Sequence, residues 1–106
     1  MFKMLRFLLL PFFLITFYGG FNILSAQQTR VSGKVTDALT GEAIPFANVA
    51  FKGTSVGTVT DMNGSFVIET DKPSDSLSAS YVGYNPITLK VVKGKSQTVN
   101  FLLKVN

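Results

Sequence analysis

The chain has 106 residues, ten Lys or Arg against six Asp or Glu, a net charge of +4, and no Cys, His or Trp. That composition excludes a thiol nucleophile, a disulfide, zinc–thiolate and iron–sulfur centres, a Ser-His pair and imidazole metal ligands. It also removes the best sugar-stacking and cation–π platform, and the length allows one small domain.

The first predicted element is a leader. Lys3 and Arg6 are its only charges, residues 7–17 are apolar apart from Pro11 and Thr16, and Leu24-Ser25-Ala26 closes the run on a small residue. This order describes a secretory signal peptide over 1–26, cleaved after Ala26. An uncleaved anchor would need the apolar run to continue through Gly19, Gly20 and Asn22, because a span takes roughly 20 residues. A lipid anchor on cysteine is closed. Residues 1–26 hold seven of the 13 aromatics, and residues 27–106 carry eight basic against six acidic side chains. The remaining domain therefore has no nucleic-acid footprint.

From residue 27 onward apolar residues recur with period two, the mark of half-buried strands. Val31, Gly33 and Val35 form the first set, and Thr40-Gly41-Glu42 with Pro45 break it. Ala47, Val49 and Phe51 follow, up to the Lys52-Gly53-Thr54-Ser55 turn. A short piece at 57–60 leads into Asp61-Met62-Asn63-Gly64, then Phe66 and Ile68. Leu77, Ala79 and Tyr81 lead to Gly83-Tyr84-Asn85-Pro86. Ile87, Leu89 and Val91, a turn at Lys93-Gly94-Lys95-Ser96, and Val99, Phe101 and Leu103 complete the chain. Every break holds Gly or Pro. The pattern predicts an all-β, seven-stranded Greek-key β-sandwich over 27–106. Its expected core is Val31, Val35, Val49, Phe51, Phe66, Ile68, Leu77, Tyr81, Ile87, Leu89, Val91, Val99, Phe101 and Leu103.

Three constellations invite a chemical reading. Asp61-Met62-Asn63-Gly64-Ser65 resembles a calcium loop until the ligands are counted: Gly64 falls at position 4, Phe66 at 6 and Lys72 at 12, against the Gly at 6 and Glu at 12 of an EF-hand. A hairpin fits better, with Asp61 accepting main-chain N–H groups and Asn63 or Gly64 taking a positive φ. Asn63-Gly64-Ser65 is formally a glycosylation acceptor. The carboxylates Asp37, Glu42, Asp61, Glu69, Asp71 and Asp75 fall in loops or on wet faces, so they read as solvated charge without an acid–base pair. Ser and Thr have no activating base. Tyr81 and Tyr84, with Asn85 beside them, offer a contact face for a ligand or partner. The structural alternative buries Tyr81 and folds Tyr84 over an edge of the sandwich.

The phrases Val31-Ser-Gly-Lys-Val-Thr-Asp37, Thr40-Gly-Glu42, Ile44-Pro-Phe-Ala-Asn-Val49, Lys52-Gly-Thr54, Gly57-Thr58, Thr60-Asp61, Asn63-Gly64, Phe66 and Ser80-Tyr-Val-Gly-Tyr84 occur in this order. Together they resemble the carboxypeptidase-like regulatory domain, a transthyretin-like, immunoglobulin-like β-sandwich. The resemblance covers residues 30 to about 104. It implies an accessory, non-catalytic module of the kind found at the N-terminus of TonB-dependent receptors and other outer-membrane proteins. In receptors a plug and a barrel follow the module, whereas this sequence stops at Asn106. The implied structural residues are Gly33 for close packing, Gly53 and Gly64 for turns, and Gly83 for the tyrosine corner.

The expectation is therefore an exported module at the periplasmic side of the outer membrane, with no catalytic residue, metal or cofactor. Its partner would be a protein or an attached barrel, engaged by edge-strand pairing or loop contact. Carbohydrate binding through Tyr81 and Tyr84 is the alternative. The membrane is met only through the leader or an attached barrel.

Overall fold

A computed structural model describes residues 27–106. The signal peptide expected over 1–26 lies outside the described residues. The described chain forms eight strands and no helix: β1 (Thr29–Asp37), β2 (Asn48–Phe51), β3 (Gly57–Val59), β4 (Ser65–Thr70), β5 (Ser76–Ser80), β6 (Ile87–Lys90), β7 (Ser96–Thr98) and β8 (Phe101–Leu103). They make two sheets. In one, β1 lies between β4 and the pair β7 and β8; the other runs β3-β2-β5-β6.

Alternation sets which side chains enter the space between the sheets. On β1, Thr29, Val31 and Val35 are buried while Arg30 and Lys34 are exposed. Antiparallel pairing aligns Val31 with Ile68 and Gly33 with Phe66, so one apolar row is shared by β1 and β4. Parallel pairing of β1 with β8 sets Val35 beside Phe101. Val49, Phe51, Leu77 and Ala79 supply the facing row from the second sheet. The rings of Phe66 and Phe101 meet at 6.0 Å with their planes tilted by 48°. An all-β sandwich is thus the architecture of the described residues.

The last expected strand is divided. Val99 and Asn100 leave the ladder between β7 and β8 because the Val99 carbonyl lies over Gly33, where a Cβ would fall onto its oxygen. The Asn100 side-chain oxygen accepts from the Lys34 N–H at 2.9 Å, replacing the missing main-chain acceptor. The Val99 N–H donates to the Ser32 carbonyl at 2.8 Å. Gly33 is required here by close approach.

The core differs from the expected set at its margins. Tyr81 is 37% exposed and Leu89 36% exposed. Tyr81 falls one residue past the end of β5, and Leu89 stands on the terminal strand of its sheet, where only β5 flanks it. Ile87 and Val99 are partly buried against the core. Ile44, Ala47 and Ala79 are buried instead. Ile44 is drawn in by a polar staple: the buried Thr60 hydroxyl donates to the Ile44 carbonyl at 2.7 Å and accepts from the Ala47 N–H at 2.8 Å. Phe46, inside that stapled turn, has a φ of 63° and an exposed ring.

Candidate functional site: the Asp37–Tyr84 corner

At one end of the sandwich the chain leaves β5 and reverses through Tyr81-Val82-Gly83-Tyr84. The Tyr84 N–H donates to the Tyr81 carbonyl at 3.0 Å, and Gly83 takes a φ of 90°, a conformation that favours glycine. The strand-like stretch after the reversal pairs with the end of the chain. Tyr84 bridges antiparallel to Val105, the Asn85 N–H donates to the Lys104 carbonyl at 2.8 Å, and the Asn106 N–H donates to the Gly83 carbonyl at 3.0 Å. These bonds fix the backbone from which the Tyr84 side chain projects.

The Tyr84 hydroxyl donates to Asp37 Oδ2 at 2.8 Å. Asp37 ends β1 and closes the next loop on itself: its Oδ1 accepts from the N–H groups of Leu39 at 2.8 Å and Thr40 at 3.0 Å. Its main-chain carbonyl accepts from Gly41 N–H at 2.9 Å, and its own N–H donates to the Glu42 carbonyl at 2.8 Å. The Thr40 N–H, then the Tyr84 hydroxyl and the Leu39 N–H, hold the Asp37 carboxyl below the usual carboxylate range. The same bond to Asp37, helped by partial desolvation, pushes the Tyr84 phenol above its ordinary value.

The Tyr81 ring lies 6.1 Å from that of Tyr84, tilted by 49°. Beside the corner is a shallow hollow of about 480 Å³ lined by Asp37, Ala38, Leu39, Thr40, Lys104 and Val105. Leu39 and Val82 rise from this end, 90% and 88% exposed. Chemically the corner is a fixed surface. A carboxylate receiving three hydrogen bonds is poorly suited to taking a proton at neutral pH, and a phenol already donating to it has its acceptor lone pairs left for an incoming donor. Tyr81 offers a ring face, and Asn85 is exposed.

The other singled-out residues sit in turns away from the corner. Asp61 Oδ1 accepts from the N–H groups of Asn63 and Ser65, both at 2.9 Å, so that oxygen is directed at its own loop. Gly64 takes a φ of 76°, and its carbonyl accepts from the Val35 N–H at 2.8 Å. Asn63 keeps an ordinary backbone, since Phe46 is the one non-glycine described residue with positive φ. Gly53 has a φ of 81° in the β2–β3 turn. Among the described residues, no three Asp or Glu side chains gather where they could share a cation.

Asp37 is the residue that sequence reasoning missed, having grouped it with the solvated carboxylates. The local signal was present: an Asp followed at three residues by Thr-Gly-Glu can cap its own turn. The tie to Tyr84, 47 residues away, had no local signal.

The sequence pattern of the CarboxypepD_reg-like domain matches residues 31–106. The chain belongs to that family. This CarboxypepD_reg-like domain is 42% identical over 79 residues to the TonB-dependent receptor SusC of Bacteroides thetaiotaomicron, covering 74% of the chain and 7% of the receptor. It is 32% identical over 81 residues to the TonB-dependent receptor P3 of Formosa agariphila, covering 76% of the chain and 8% of the receptor. The chain thus spans less than a tenth of the length of either relative. Among solved structures, a cohesin–X-dockerin complex of Acetivibrio cellulolyticus superposes with a TM-score of 0.57 at 21% identity, over 73% of this chain and 58% of that one. That likeness concerns the fold. The family match includes both Asp37 and Tyr84, and the Val105 segment that ties the corner shut.

Proposed function

We propose that this domain is a non-catalytic interaction module exposed to the periplasm at the outer membrane, acting as part of, or beside, a TonB-dependent receptor or another barrel protein. The observation that carries this reading is the 42% identity to a stretch of the receptor SusC. The chemistry supports it: at the Asp37–Tyr84 corner the carboxylate is committed to hydrogen bonds inside the domain. Partners would be met by loops at this end or by a free strand edge. Fractionation of the native host with an antibody to the domain tests the placement. Recovery with the outer membrane is expected, with resistance to external protease until the envelope is opened. Recovery in the cytosol, or digestion in intact cells, would refute it.

A second reading, glycan contact through Tyr81, Tyr84 and Asn85, is favoured by one observation: the Tyr81 ring stands partly in solvent against Tyr84 instead of entering the core. Titration with oligosaccharides while following the tyrosine ring resonances decides it. Shifts at Tyr81 and Tyr84 that disappear in Tyr81→Ala support the reading, and unmoved rings end it.

A further inference from the structure

At the closed corner the end of the chain outruns its neighbour. β1 and β8 run parallel, and the Ala38 N–H closes their ladder by donating to the Leu103 carbonyl at 2.8 Å. β1 then turns away through the loop that Asp37 caps, so the next position of the ladder, beside Val105, has no strand. Val105 keeps its bridge to Tyr84 on the other side. The bonds of that bridge flank the pair, from the Asn85 N–H to the Lys104 carbonyl and from the Asn106 N–H to the Gly83 carbonyl. Residues opposite one another between two such bonds turn their own main-chain groups outward. The Val105 N–H and carbonyl therefore point to the side on which Leu103 meets β1. Among the described residues neither has a hydrogen-bond partner.

The hollow of about 480 Å³ occupies that side of Val105. Clefts of about 300–1,000 Å³ hold small ligands, so this one has room for a short piece of extended chain. Leu39 and Val105 line it, 90% and 64% exposed. An unpaired donor and acceptor beside apolar surface are what an added strand recognises: the first two fix its main chain, and the apolar surface takes its side chain.

Charge selects the occupant. Asp37 and Lys104 both line the hollow, and Glu42 adds a second carboxylate. The bond to Asp37, then desolvation and the charges of Asp37 and Glu42, raise the Tyr84 phenol, so the Glu42 carboxylate also acts on the corner. The partly exposed Tyr81 ring gives a face on which a cation can rest. The turns at the other end of the sandwich carry Lys52, Lys72, Lys93 and Lys95 against Asp71 and Asp75. A basic segment is repelled there and drawn to the corner.

We propose that the notch between the Asp37 loop and Val105 accepts an extended segment of a partner protein in which apolar and basic side chains alternate. The Val105 N–H and carbonyl would pair with one residue of its main chain, an apolar side chain would lie on Leu39, and a Lys or Arg would face Asp37 and Glu42. This rests on the interaction-module reading and names the place of the contact and the chemistry of the partner.

The test is chemical-shift mapping and amide hydrogen exchange on the full chain. The ligands are an eight-residue peptide alternating valine with lysine, and the same pattern with glutamate. The lysine peptide should shift the Leu39 methyl and Val105 amide resonances, and at about ten times its Kd it should slow exchange at Val105 about tenfold. The glutamate peptide should do neither. Val105→Pro removes only an outward N–H, because the bridge bonds come from the Lys104 carbonyl and the Asn106 N–H. It should abolish the Leu39 shifts while the Asn85 and Asn106 amides keep their protection. Glu42→Lys, at an exposed side chain, should weaken the lysine peptide and admit the glutamate peptide. No shift at millimolar lysine peptide, Leu39 shifts that persist in Val105→Pro, or an equal response to both peptides would overturn the assignment. Shifts confined to Phe46 and Met62, or to β3 and β4, would overturn the notch while sustaining a docking role.

Discussion

Replacing Gly33 by Ala puts a methyl group where the Val99 carbonyl oxygen stands. The obstacle is backbone, so no side-chain rotation relieves it. Segment 99–100 must withdraw from β1, and two hydrogen bonds go with it: Val99 N–H to the Ser32 carbonyl and Lys34 N–H to the Asn100 side chain. Overpacking of this kind costs about 1–3 kcal/mol, and each lost bond about 1 kcal/mol. The expected loss is about 3–5 kcal/mol, a large part of the roughly 4–12 kcal/mol that a domain of this size holds. Urea unfolding of the full chain, followed by far-ultraviolet circular dichroism, measures it as a lower midpoint at unchanged slope. Gly53→Ala is the control, because a Cβ there meets nothing within 4 Å and only its φ of 81° is strained; it should cost about 1–2 kcal/mol. A Gly33→Ala variant within about 0.5 kcal/mol of the parent, the range of an ordinary surface change, would refute the close approach of β1 to the C-terminal strands.

Phe101 is fully buried between Val35 and Phe66, so Phe101→Ala should lower stability by about 3–5 kcal/mol in the same assay. Thr60→Val keeps the shape but orphans the Ala47 N–H and the Ile44 carbonyl; a loss of about 2–4 kcal/mol is expected. Thr60→Ser should restore most of it. In Tyr84→Phe the Asp37 carboxyl loses one of its three donors, so its pKa, followed by carbon NMR, should rise toward the usual value. The Asp37 pKa is depressed on folding, so its contribution is present above the unfolded carboxylate range and is lost as pH falls through the folded value. The Tyr84 pKa is raised, so its contribution is complete below the unfolded phenol range and is lost as pH rises through the folded value. Tyr84→Phe should flatten both limbs of the stability–pH curve; an unaltered curve would show that the bond does not form in solution.

Period-two patterning was enough to place the inward rows of β1, β2, β4 and β5, because residues buried on one face of a strand must alternate. It was not enough at the rims. Leu89 has the same alternation as Leu77, but burial also depends on whether a neighbouring strand covers the position, and order within a sheet is not written in spacing. Tyr81 continues the parity of β5, yet the strand stops at Ser80 and the ring turns outward. The break at Val99-Asn100 was hidden for a related reason: it arises from the meeting of Gly33 with a carbonyl 66 residues later. Gly33 was recognised as a site of close packing, but the sequence carried no sign of what packs on it. The tyrosine corner was legible as a turn through Gly83. Its bond to Asp37 depends on the chain end pairing with Tyr84 and Asn85, a tertiary arrangement without local trace.

The most direct measurement is a nuclear Overhauser spectrum of the isotope-labelled full chain. The sandwich with its closed corner predicts cross-peaks between Val35 and Phe101, between Val31 and Ile68, and between Tyr84 and Val105. If Val35 instead neighbours a strand of the second sheet, or Tyr84 shows no proximity to Val105, then the sandwich and its closed corner are not as described.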